Sequence, residues 1–461
     1  MATSGRKHIL VVTGPAYGHL LPLFLLSRKL AAHHHHSITF AVSRHKAEQL
    51  AEAEFRAIPA DEDLRLLPIE DRLLEDLGYH DDLVGAFHAL IHVINPAVDD
   101  FMREVAADAE GSGDAPIRLS NGETLRRPEV ILFDMFLTGS VMRHRLPGVR
   151  YYFFQSSPIT LVRWFLLLTP DTPVVSPAEH PQFHELPPAG QPLAGQMAGV
   201  KELFLPISEH LPEVDGIICN SFRTMEREEI GKMNRERPDM VRVPVYCLGP
   251  FIPEDLSEAD SKAEKWLKTK EAQSVVYVSF GSIDFLVPAA EQLAEIGKAL
   301  VSLKKPVLWS LRAGHEAQLP PEVASHPDFL ILPWVPQKRV LAAPQVAVIL
   351  SHSGWNGTLE ALDNGVPIVS FPMMADQLMV ATAIEKQGVG VRLRGTGYKP
   401  ERLLPAEEIA RALREVGEFE EKGQGKFHQR AREVQEQIRE AMTETGTSSV
   451  ELAELVKSFD K

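Results

Sequence analysis

Residues 346–371, "VAVILSHSGWNGTLEALDNGVPIVSF", contain the pattern that decides the fold. An apolar run rich in β-branched residues is followed by a helical stretch and then by a second apolar run. This alternation predicts two parallel strands connected by a helix. At the helix start, Gly354, Trp355 and Gly357 stand where better helix formers would give more local stability. The sequence therefore indicates that something other than helix propensity selected this helix start.

The same alternation extends in both directions and predicts an α/β protein with two doubly wound, Rossmann-like domains. A stretch at 248–265 begins with Gly-Pro, continues as a polar acidic segment without apolar periodicity, and is interpreted as the linker. The predicted domains are residues 1–247 and 266–440. Strands are expected at 8–12, 37–42, 129–133, 151–154, 216–219, 274–280, 306–311, 329–332, 346–350, 366–371 and 389–393.

The composition restricts the class of protein. The chain has 461 residues, of which 44% are apolar, and carries a formal net charge of −15. This charge argues against nucleic acid or an anionic membrane surface as a partner, because both attract basic proteins. The longest N-terminal apolar stretch is interrupted by Pro15, Gly18 and Pro22 and does not resemble a signal peptide or a membrane span. Cys219 and Cys247 are expected to be buried, reduced thiols, and the protein is predicted to be cytoplasmic.

In the first predicted domain, two polar residues follow apolar strands. His19 comes after "HILVV" and a glycine-containing loop, and Asp134 comes directly after "EVILF". Both belong to the carboxyl edge of the sheet, where doubly wound folds bind ligands. A buried carboxylate must find a donor: either a local backbone N–H or ion pair, or the N–H of an imidazole that it orients as a general base. The residues alone leave these interpretations of Asp134 equally supported.

In the second predicted domain, several polar and aromatic residues also follow strands. Ser282 lies in a Gly-Ser turn that suits a phosphate oxygen. Trp334, between two prolines, offers a flat face for a nucleobase, although a single tryptophan in a turn is more often part of a core. Gln337 offers an amide donor and acceptor to a base edge. Asp376 and Gln377 follow the strand "VPIVSF" and provide acceptors for sugar hydroxyls.

The helix start at Trp355 has the features of an anion site. A helix N-terminus exposes unpaired N–H groups and partial positive charge. Gly354 and Gly357 permit close approach of a phosphate to the backbone, and His352 is able to donate to a phosphate oxygen. Glu360 follows Asn356 by one turn on the same helix face, where its carboxylate would accept from ribose hydroxyls.

Together these residues resemble the plant secondary product glycosyltransferase box, the nucleotide-sugar signature of family 1 UDP-glycosyltransferases. The chain matches the box without an insertion at Trp334, Pro336, Gln337, Val340, Leu341, His352, Gly354, Trp355, Asn356, Glu360, Gly365, Val366, Pro367, Pro372, Asp376 and Gln377. The resemblance also includes "PAYGHLLP" (15–22), "ILFD" ending at Asp134, "NSF" (220–222) and "VVYVSFGS" (275–282).

The resemblance implies a GT-B fold, in which two facing Rossmann-like domains enclose a cleft and a C-terminal helix, here 441–461, packs back on the first domain. It implies that His19 is the general base and Asp134 its partner. It also implies a UDP-sugar as co-substrate and no required metal. The implied UDP-binding residues are Ser282, Trp334, Val335, Gln337, His352, Gly354, Asn356, Gly357 and Glu360. The implied sugar-binding residues are Trp355, Asp376 and Gln377.

Two features refine what the resemblance implies. The family box usually has Ser after Trp-Asn, whereas this chain has Gly357, so a phosphate-directed hydroxyl is missing and altered donor binding is expected. Gln377 resembles the glucose-using members. The acceptor is expected to be a small hydrophobic hydroxylated molecule, and Phe136, Trp164 and Phe165 are candidates for its pocket, although an ordinary core helix explains the last two equally well.

Other functions are less consistent with the sequence or remain as alternatives. The sequence "DED" (61–63) has the form of a metal-binding Asp-X-Asp, but it lies in a polar segment and is interpreted as a solvated loop. A dehydrogenase would need a G-x-G-x-x-G turn between the first strand and helix, which "GPAYGH" does not supply. The remaining alternatives are a sterol or lipid glucosyltransferase of the same fold and a non-catalytic nucleotide-sugar binder.

Overall fold

A computed structural model describes residues 5–52, 58–59, 62–70, 90–111, 115–168, 200–253, 261–281, 287–374, 376–397, 402–421 and 423–461. The described residues up to 168, 200–253 and 441–461 form one compact unit, and those from 261 to 440 form a second. Ser282 and Asp61 lie outside the described residues. No helix in the described ranges is long and apolar enough to cross a membrane.

The first unit contains a seven-stranded parallel sheet and a small antiparallel hairpin. The sheet order is β3-β2-β1-β6-β7-β8-β9, and β4 pairs with β5. The strands are β1 His8–Val12, β2 Ser37–Ser43, β3 Leu64–Ile69, β4 Ile117–Arg118, β5 Thr124–Leu125, β6 Val130–Asp134, β7 Arg150–Gln155, β8 Gly216–Cys219 and β9 Val245–Cys247.

Helices cover this sheet, and the described ones are α1 Tyr17–His34, α2 Arg44–Glu52, α3 Asn95–Gly111, α4 Thr138–Met142, α5 Ile159–Phe165, α6 Val200–His210, α7 Arg223–Glu236 and, near the C-terminus, α16 Thr447–Ser458. A short 3₁₀ turn, Met135–Leu137, directly follows β6. The strands are apolar and buried because helices lie on both faces of a parallel sheet. The free cysteines Cys219 and Cys247 are both buried, as predicted.

The helix α16 belongs to the first unit although it is almost the last segment of the chain. The guanidinium Nε of Arg223 donates to Glu451 Oε1 at 2.7 Å, and the other oxygen of Glu451 accepts from the backbone N–H of Cys247 at 2.6 Å. The hydroxyls of Tyr152 and Ser458 are 2.6 Å apart in the same interior. Leu455 and Phe459 pack into the hydrophobic core beneath β1 and β2.

The second unit contains a six-stranded parallel sheet in the order β12-β11-β10-β13-β14-β15. Its strands are β10 Val275–Ser279, β11 Val307–Ser310, β12 Phe329–Leu332, β13 Val346–Ser351, β14 Ile368–Ser370 and β15 Gly390–Arg392. Its described helices are α8 Lys262–Leu267, α9 Ala290–Leu303, α10 Pro321–Ala324, α11 Gln337–Leu341, α12 Trp355–Asp363, α13 Gln377–Lys386, α14 Ala406–Gly417 and α15 Lys426–Met442, whose last residues pass into the first unit.

In both sheets successive strands are added first on one side of the first strand and then on its other side. The point between the two strands where this direction reverses defines a crevice at the carboxyl ends of the strands. In the first sheet the reversal lies between β1 and β6, the strands that precede His19 and end at Asp134. In the second it lies between β10 and β13, the strand that precedes His352. The predicted α/β class and the parallel strands are confirmed.

The segment at 61–63 is described at Glu62 and Asp63, where the chain is irregular and Asp63 is exposed. Glu62 accepts two hydrogen bonds from the guanidinium of Arg28, and its side chain is only 8% exposed. Asp63 pairs with Arg6, and β3 begins at the next residue. Each of these two carboxylates pairs with an arginine of the same unit. The described residues hold no group of three or more His, Cys, Asp or Glu arranged to bind a metal ion.

Candidate active site

The candidate site of the first unit is built around His19, in the first turn of α1. The Nδ1 atom of His19 lies 2.7 Å from Oδ2 of Asp134, whose side chain is fully buried. The other carboxylate oxygen of Asp134 accepts a hydrogen bond from the backbone N–H of Phe136 at 3.0 Å. The two interpretations of Asp134 are therefore both realised: one oxygen caps the local backbone, and the other binds the imidazole.

This arrangement fixes the protonation pattern of the imidazole. An ionised carboxylate only accepts hydrogen bonds, so in this pairing Nδ1 of His19 carries the proton and Nε2 is the nitrogen that bears the lone pair. The His19 side chain is 18% exposed, so part of the ring is accessible, whereas Asp134 is not exposed. The pair has the base and orienting-group relationship required for general base chemistry.

Ser156 is a residue of this site that sequence reasoning missed. Its Oγ lies 3.1 Å from Nδ1 and 3.4 Å from Nε2 of His19, and the residue is buried. Ser156 directly follows β7, at the same sheet edge as His19 and Asp134. The rule used to select His19 and Asp134 would have found it, had the residues after β7 been considered.

Aromatic side chains continue from His19 into the first unit. The ring of Phe136 lies 4.7 Å from that of His19, and Phe204 of α6 lies 6.1 Å from Phe136. Phe204 also contacts Trp164 and Phe165 of α5, at 5.8 and 4.9 Å. The structure thus brings together the three predicted pocket residues and adds Phe204. Trp164, Phe165 and Phe204 are themselves buried, so the cluster is a continuous apolar wall that begins at the imidazole.

The candidate site of the second unit lies at the junction of β13 and α12. Gly354 is the N-cap residue of α12 and has an extended backbone, and Ser353 before it has a φ of 64°. A left-handed conformation is uncommon for a residue with a side chain, and such strain is concentrated at functional turns. The helix begins at Trp355, as predicted, and its first turn contains no acidic residue. No carboxylate of this helix's own first turn therefore offsets the partial positive charge of the helix start.

The imidazole of His352 is enclosed by two glycines. A Cβ atom added at Gly281 would lie 2.8 Å from the ring, and one at Gly354 would lie 2.5 Å from its Nε2. The glycine at 354 is therefore required by the histidine side chain as well as by the expected approach of a phosphate. Burial lowers the pKa of His352 to about 4, although a hydrogen bond to the backbone of Ser279 acts in the opposite direction. The ring is therefore neutral at physiological pH and has a single N–H.

Gln337 and Glu360 contact one another directly. Nε2 of Gln337 donates to Oε2 of Glu360 at 2.7 Å, and the hydroxyl of Tyr277 donates to Oε1 of Gln337 at 3.0 Å. Burial raises the pKa of Glu360. Trp334 is 68% exposed, which excludes the interpretation of a core tryptophan, while Val335 beside it is buried. An exposed indole next to a fixed amide and carboxylate is suited to bind a nucleoside.

The predicted sugar-binding residues differ in how much of each is available to a ligand. The side chain of Trp355 is buried, so the backbone of this residue is the part at the helix start. The side-chain oxygen of Gln377 accepts from the backbone N–H groups of Met373 and Met374 at 2.8 and 3.0 Å. Gln377 therefore fixes the loop after β14, and its amide nitrogen remains as a donor. Asp376 is the N-cap residue of α13 beside it.

Comparison with known proteins identifies the fold as GT-B. A UDP-glucosyltransferase from Polygonum tinctorium capable of glucosylating indoxyl, solved with 3,4-dichloroaniline, has a TM-score of 0.78 to this chain. The identity is 25%, and both chains are covered completely. Residues 253–418 match the model of the family described as UDP-glucoronosyl and UDP-glucosyl transferase.

Relatives at the sequence level have the same description. UDP-glycosyltransferase 72B1 of Arabidopsis thaliana is 26% identical over 98% of this chain and 96% of its own length. UDP-glucosyltransferase UGT13248 of Hordeum vulgare is 36% identical, but this alignment covers 54% of each chain, so that the chain matches about half the length of this relative. The relatives and solved structures that these comparisons find are UDP-sugar transferases. The chain is similar to family 1 of the UDP-glycosyltransferases.

Proposed function

We propose that this protein transfers a sugar, most simply glucose, from a UDP-sugar to a hydroxyl of a small hydrophobic acceptor, with inversion at the anomeric carbon. The observation that supports it best is the 2.7 Å hydrogen bond between His19 and Asp134 at the sheet edge where ligands bind. A carboxylate-oriented imidazole with Nε2 available is the arrangement that a general base requires.

In the proposed reaction, the acceptor oxygen attacks the anomeric carbon of an α-linked UDP-sugar. Nε2 of His19 takes the hydroxyl proton as the new carbon–oxygen bond forms, and the bond from the anomeric carbon to the diphosphate breaks. Asp134 holds the imidazole in the required tautomer and stabilises the imidazolium. General base catalysis of this kind typically contributes about 10²–10⁴-fold to the rate. The product is a β-glycoside, and UDP leaves with the bonding electrons.

The second unit is proposed to hold the donor. Trp334 stacks on the uracil, and Gln337 and Glu360 bind the ribose. The start of α12, with His352 and Asn356, accepts the growing negative charge of the diphosphate. Because a helix N-terminus and a neutral imidazole both donate N–H groups to an anion, this binding is proposed to need no metal. Each such donor is worth roughly 2.7–4 kcal/mol in sites that stabilise developing oxyanions.

The proposed acceptor class rests on the aromatic wall that begins at His19. Phe136 contacts the imidazole, and Phe204, Phe165 and Trp164 extend the apolar surface away from it. The similar Polygonum tinctorium enzyme acts on indoxyl and was solved with a small aromatic amine, which agrees with an acceptor of this chemistry. Glucose is proposed because Gln377 resembles the glucose-using members of the family.

The test is incubation with several UDP-sugars against phenols, flavonoids, terpenoids, sterols and hydroxy-lipids, with mass detection of products. Products from small aromatic or terpenoid alcohols support the proposal. Products from sterols or hydroxy-lipids alone would instead indicate a lipid glucosyltransferase of the same fold. Binding of UDP-glucose without any product or UDP release would indicate a non-catalytic nucleotide-sugar binder.

A further inference from the structure

Ser156 contacts the imidazole of His19 in a way that neither the family box nor the proposed reaction assigns to it. Its Oγ is 3.1 Å from one ring nitrogen and 3.4 Å from the other. The N–H and lone-pair directions of the two nitrogens diverge in the ring plane, so a single oxygen cannot lie along both. The hydroxyl oxygen therefore lies over the face of the ring, while Asp134 occupies the in-plane direction of Nδ1.

A hydrogen bond to Asp134 fixes only one atom of the ring. The side-chain torsion that turns an imidazole has broad minima, so the ring retains freedom to tilt about the line between Nδ1 and the carboxylate. Contacts on the ring face remove this freedom, and both Ser156 and Phe136 make them. Removing the tilt fixes the direction in which the lone pair of Nε2 points.

The position of Ser156 is itself rigid. It follows Gln155, which ends β7, and β7 is hydrogen-bonded on both sides by β6 and β8. The backbone N–H of Asn220 donates to the carbonyl of Gln155 at 3.0 Å, so the pairing continues to the last residue of the strand. A group held by the interior of a sheet positions a neighbouring side chain more accurately than a loop does.

We propose that Ser156 is a positioning residue of the transferase site, which holds the ring of His19 and stabilises its protonated form. The proposal rests on the proposed function for its effect on turnover. The hydroxyl oxygen presents lone-pair density to the ring face, which favours the imidazolium that forms when Nε2 takes the acceptor proton. The carboxylate of Asp134 is in contact with this ring, and the ammonium of Lys46 of α2 lies over the ring of Tyr17, two residues before His19 in the chain.

The decisive variant is Ser156→Ala, which removes the hydroxyl and keeps the backbone. A matched control is Ser140→Ala, because Ser140 is also buried in the first unit and its hydroxyl bonds Asn95 instead of the ring of His19. Misplacement of a catalytic group costs up to about 10²-fold. We therefore expect kcat of Ser156→Ala to fall about 5- to 100-fold, with KM for the UDP-sugar unchanged and the melting temperature no lower than that of Ser140→Ala.

A second measurement does not depend on activity. With histidines labelled at Cε1, the resonance of His19 is assigned by its loss in His19→Ala and titrated by NMR in the wild type and in both serine variants. The pKa of His19 is expected to fall by about half a unit or more in Ser156→Ala and to stay unchanged in Ser140→Ala. An unchanged titration would overturn the proposal, as would unchanged kcat in an active enzyme. If the titration shifts but no acceptor is ever turned over, the proposed function fails while the positioning contact stands.

Discussion

The two units each place a histidine after a central strand, but the surroundings of the two rings differ. His19 contacts a buried carboxylate and is partly exposed. His352 is enclosed between Gly281 and Gly354, and its pKa is lowered to about 4 by burial. The first ring therefore has a carboxylate that orients it as a base, whereas the second ring stays neutral at physiological pH and has a single N–H. The two histidines follow different strands of the central pair in their sheets, β1 in the first unit and β13 in the second. The same residue type is suited to base chemistry in one unit and to anion binding in the other.

The difference lies in the neighbouring residues. Strand β6 ends in a carboxylate whose orientation is fixed by the N–H of Phe136. In the second unit the corresponding place beside the histidine is occupied by glycine backbone, which supplies close packing but no charge. The environment of an imidazole, more than its position in the fold, determines the chemistry available to it.

The largest effect is expected for His19→Ala. Loss of the base should reduce the rate of transfer by about 10²–10⁴-fold. The affinity for UDP, measured by calorimetry, should stay within twofold of wild type because the residues proposed to bind the donor are unchanged. His45→Ala is the control, since His45 also follows a strand of this sheet but contacts Gln49 instead of a carboxylate. Near-normal turnover of His19→Ala would remove His19 from the mechanism.

The next effect is expected for Asp134→Asn. The amide oxygen can still accept from the Phe136 N–H, which directs the amide NH₂ toward Nδ1 and forces the proton of His19 onto Nε2. The ring then presents an N–H to the acceptor in place of a lone pair, and kcat should fall by up to about 10⁴-fold. Steady-state kinetics with unchanged UDP affinity is the measurement. If the variant retains half of the wild-type kcat, the carboxylate is not the orienting group.

Trp334→Ala tests the donor side of the comparison. Stacking of a base on an aromatic ring is worth about 1–3 kcal/mol, which corresponds to about a 5- to 150-fold loss of UDP affinity. Since the side chain is 68% exposed, little change in melting temperature is expected. Trp334→Phe keeps an aromatic face and should recover most of the affinity. Equal affinities for wild type and the alanine variant would show that uracil binds elsewhere.

A smaller effect, of opposite sign, is expected for Gly357→Ser. The serine restores the hydroxyl usual in the family box, and one net hydrogen bond of about 0.5–1.5 kcal/mol should lower KM for the UDP-sugar about 2- to 12-fold. A Cβ at this position would lie 3.2 Å from Nε2 of Gln337, so a slight shift of that amide is required. Gly357→Ala has the same Cβ without the hydroxyl. If both variants behave alike, the hydroxyl has no role.

The smallest effect separates the two histidines by pH. Because the pKa of His352 is lowered to about 4, the affinity for UDP-glucose without acceptor should be constant from pH 6 to 8. The sign for stability follows from the same shift: the folded state resists protonation of His352, so this residue destabilises the protein as pH falls from about 6.5 toward 4. UDP-glucose is used in place of UDP because both ends of its diphosphate are esterified. It therefore has no terminal phosphate that would itself titrate between pH 6 and 8. A midpoint in its affinity near pH 6.5 would contradict a neutral His352.

Much of this site could be predicted from the sequence because two physical rules coincide. Buried parallel strands appear as apolar runs, and ligands bind where those runs end. His19, Asp134 and the start of α12 were all found in this way. The hydrogen bond between His19 and Asp134 was one of two possibilities, since a sequence does not show which donor a buried carboxylate meets.

The features that the sequence did not predict are the two edge strands of the first sheet and one contact made by tertiary packing. Strand β3 includes Arg65 and Pro68, which interrupt an apolar run but are tolerated because β3 lies at the edge of its sheet. Strand β9 is only three residues long and forms the other edge. Phe204 reaches the site through packing of α6 against α5, and no spacing in the sequence indicates that contact.

The return of α16 to the first unit has a consequence for biosynthesis. Glu451 binds Arg223 and the backbone of β9, so the sheet's last strand receives a helix made after the whole of the second unit. On the ribosome, the second unit is therefore complete before the first has all of its parts. Until α16 has been synthesised, part of the core of the nascent first unit is exposed to solvent and chaperones. A full-length chain that refolds from denaturant already contains α16 and has no such delay.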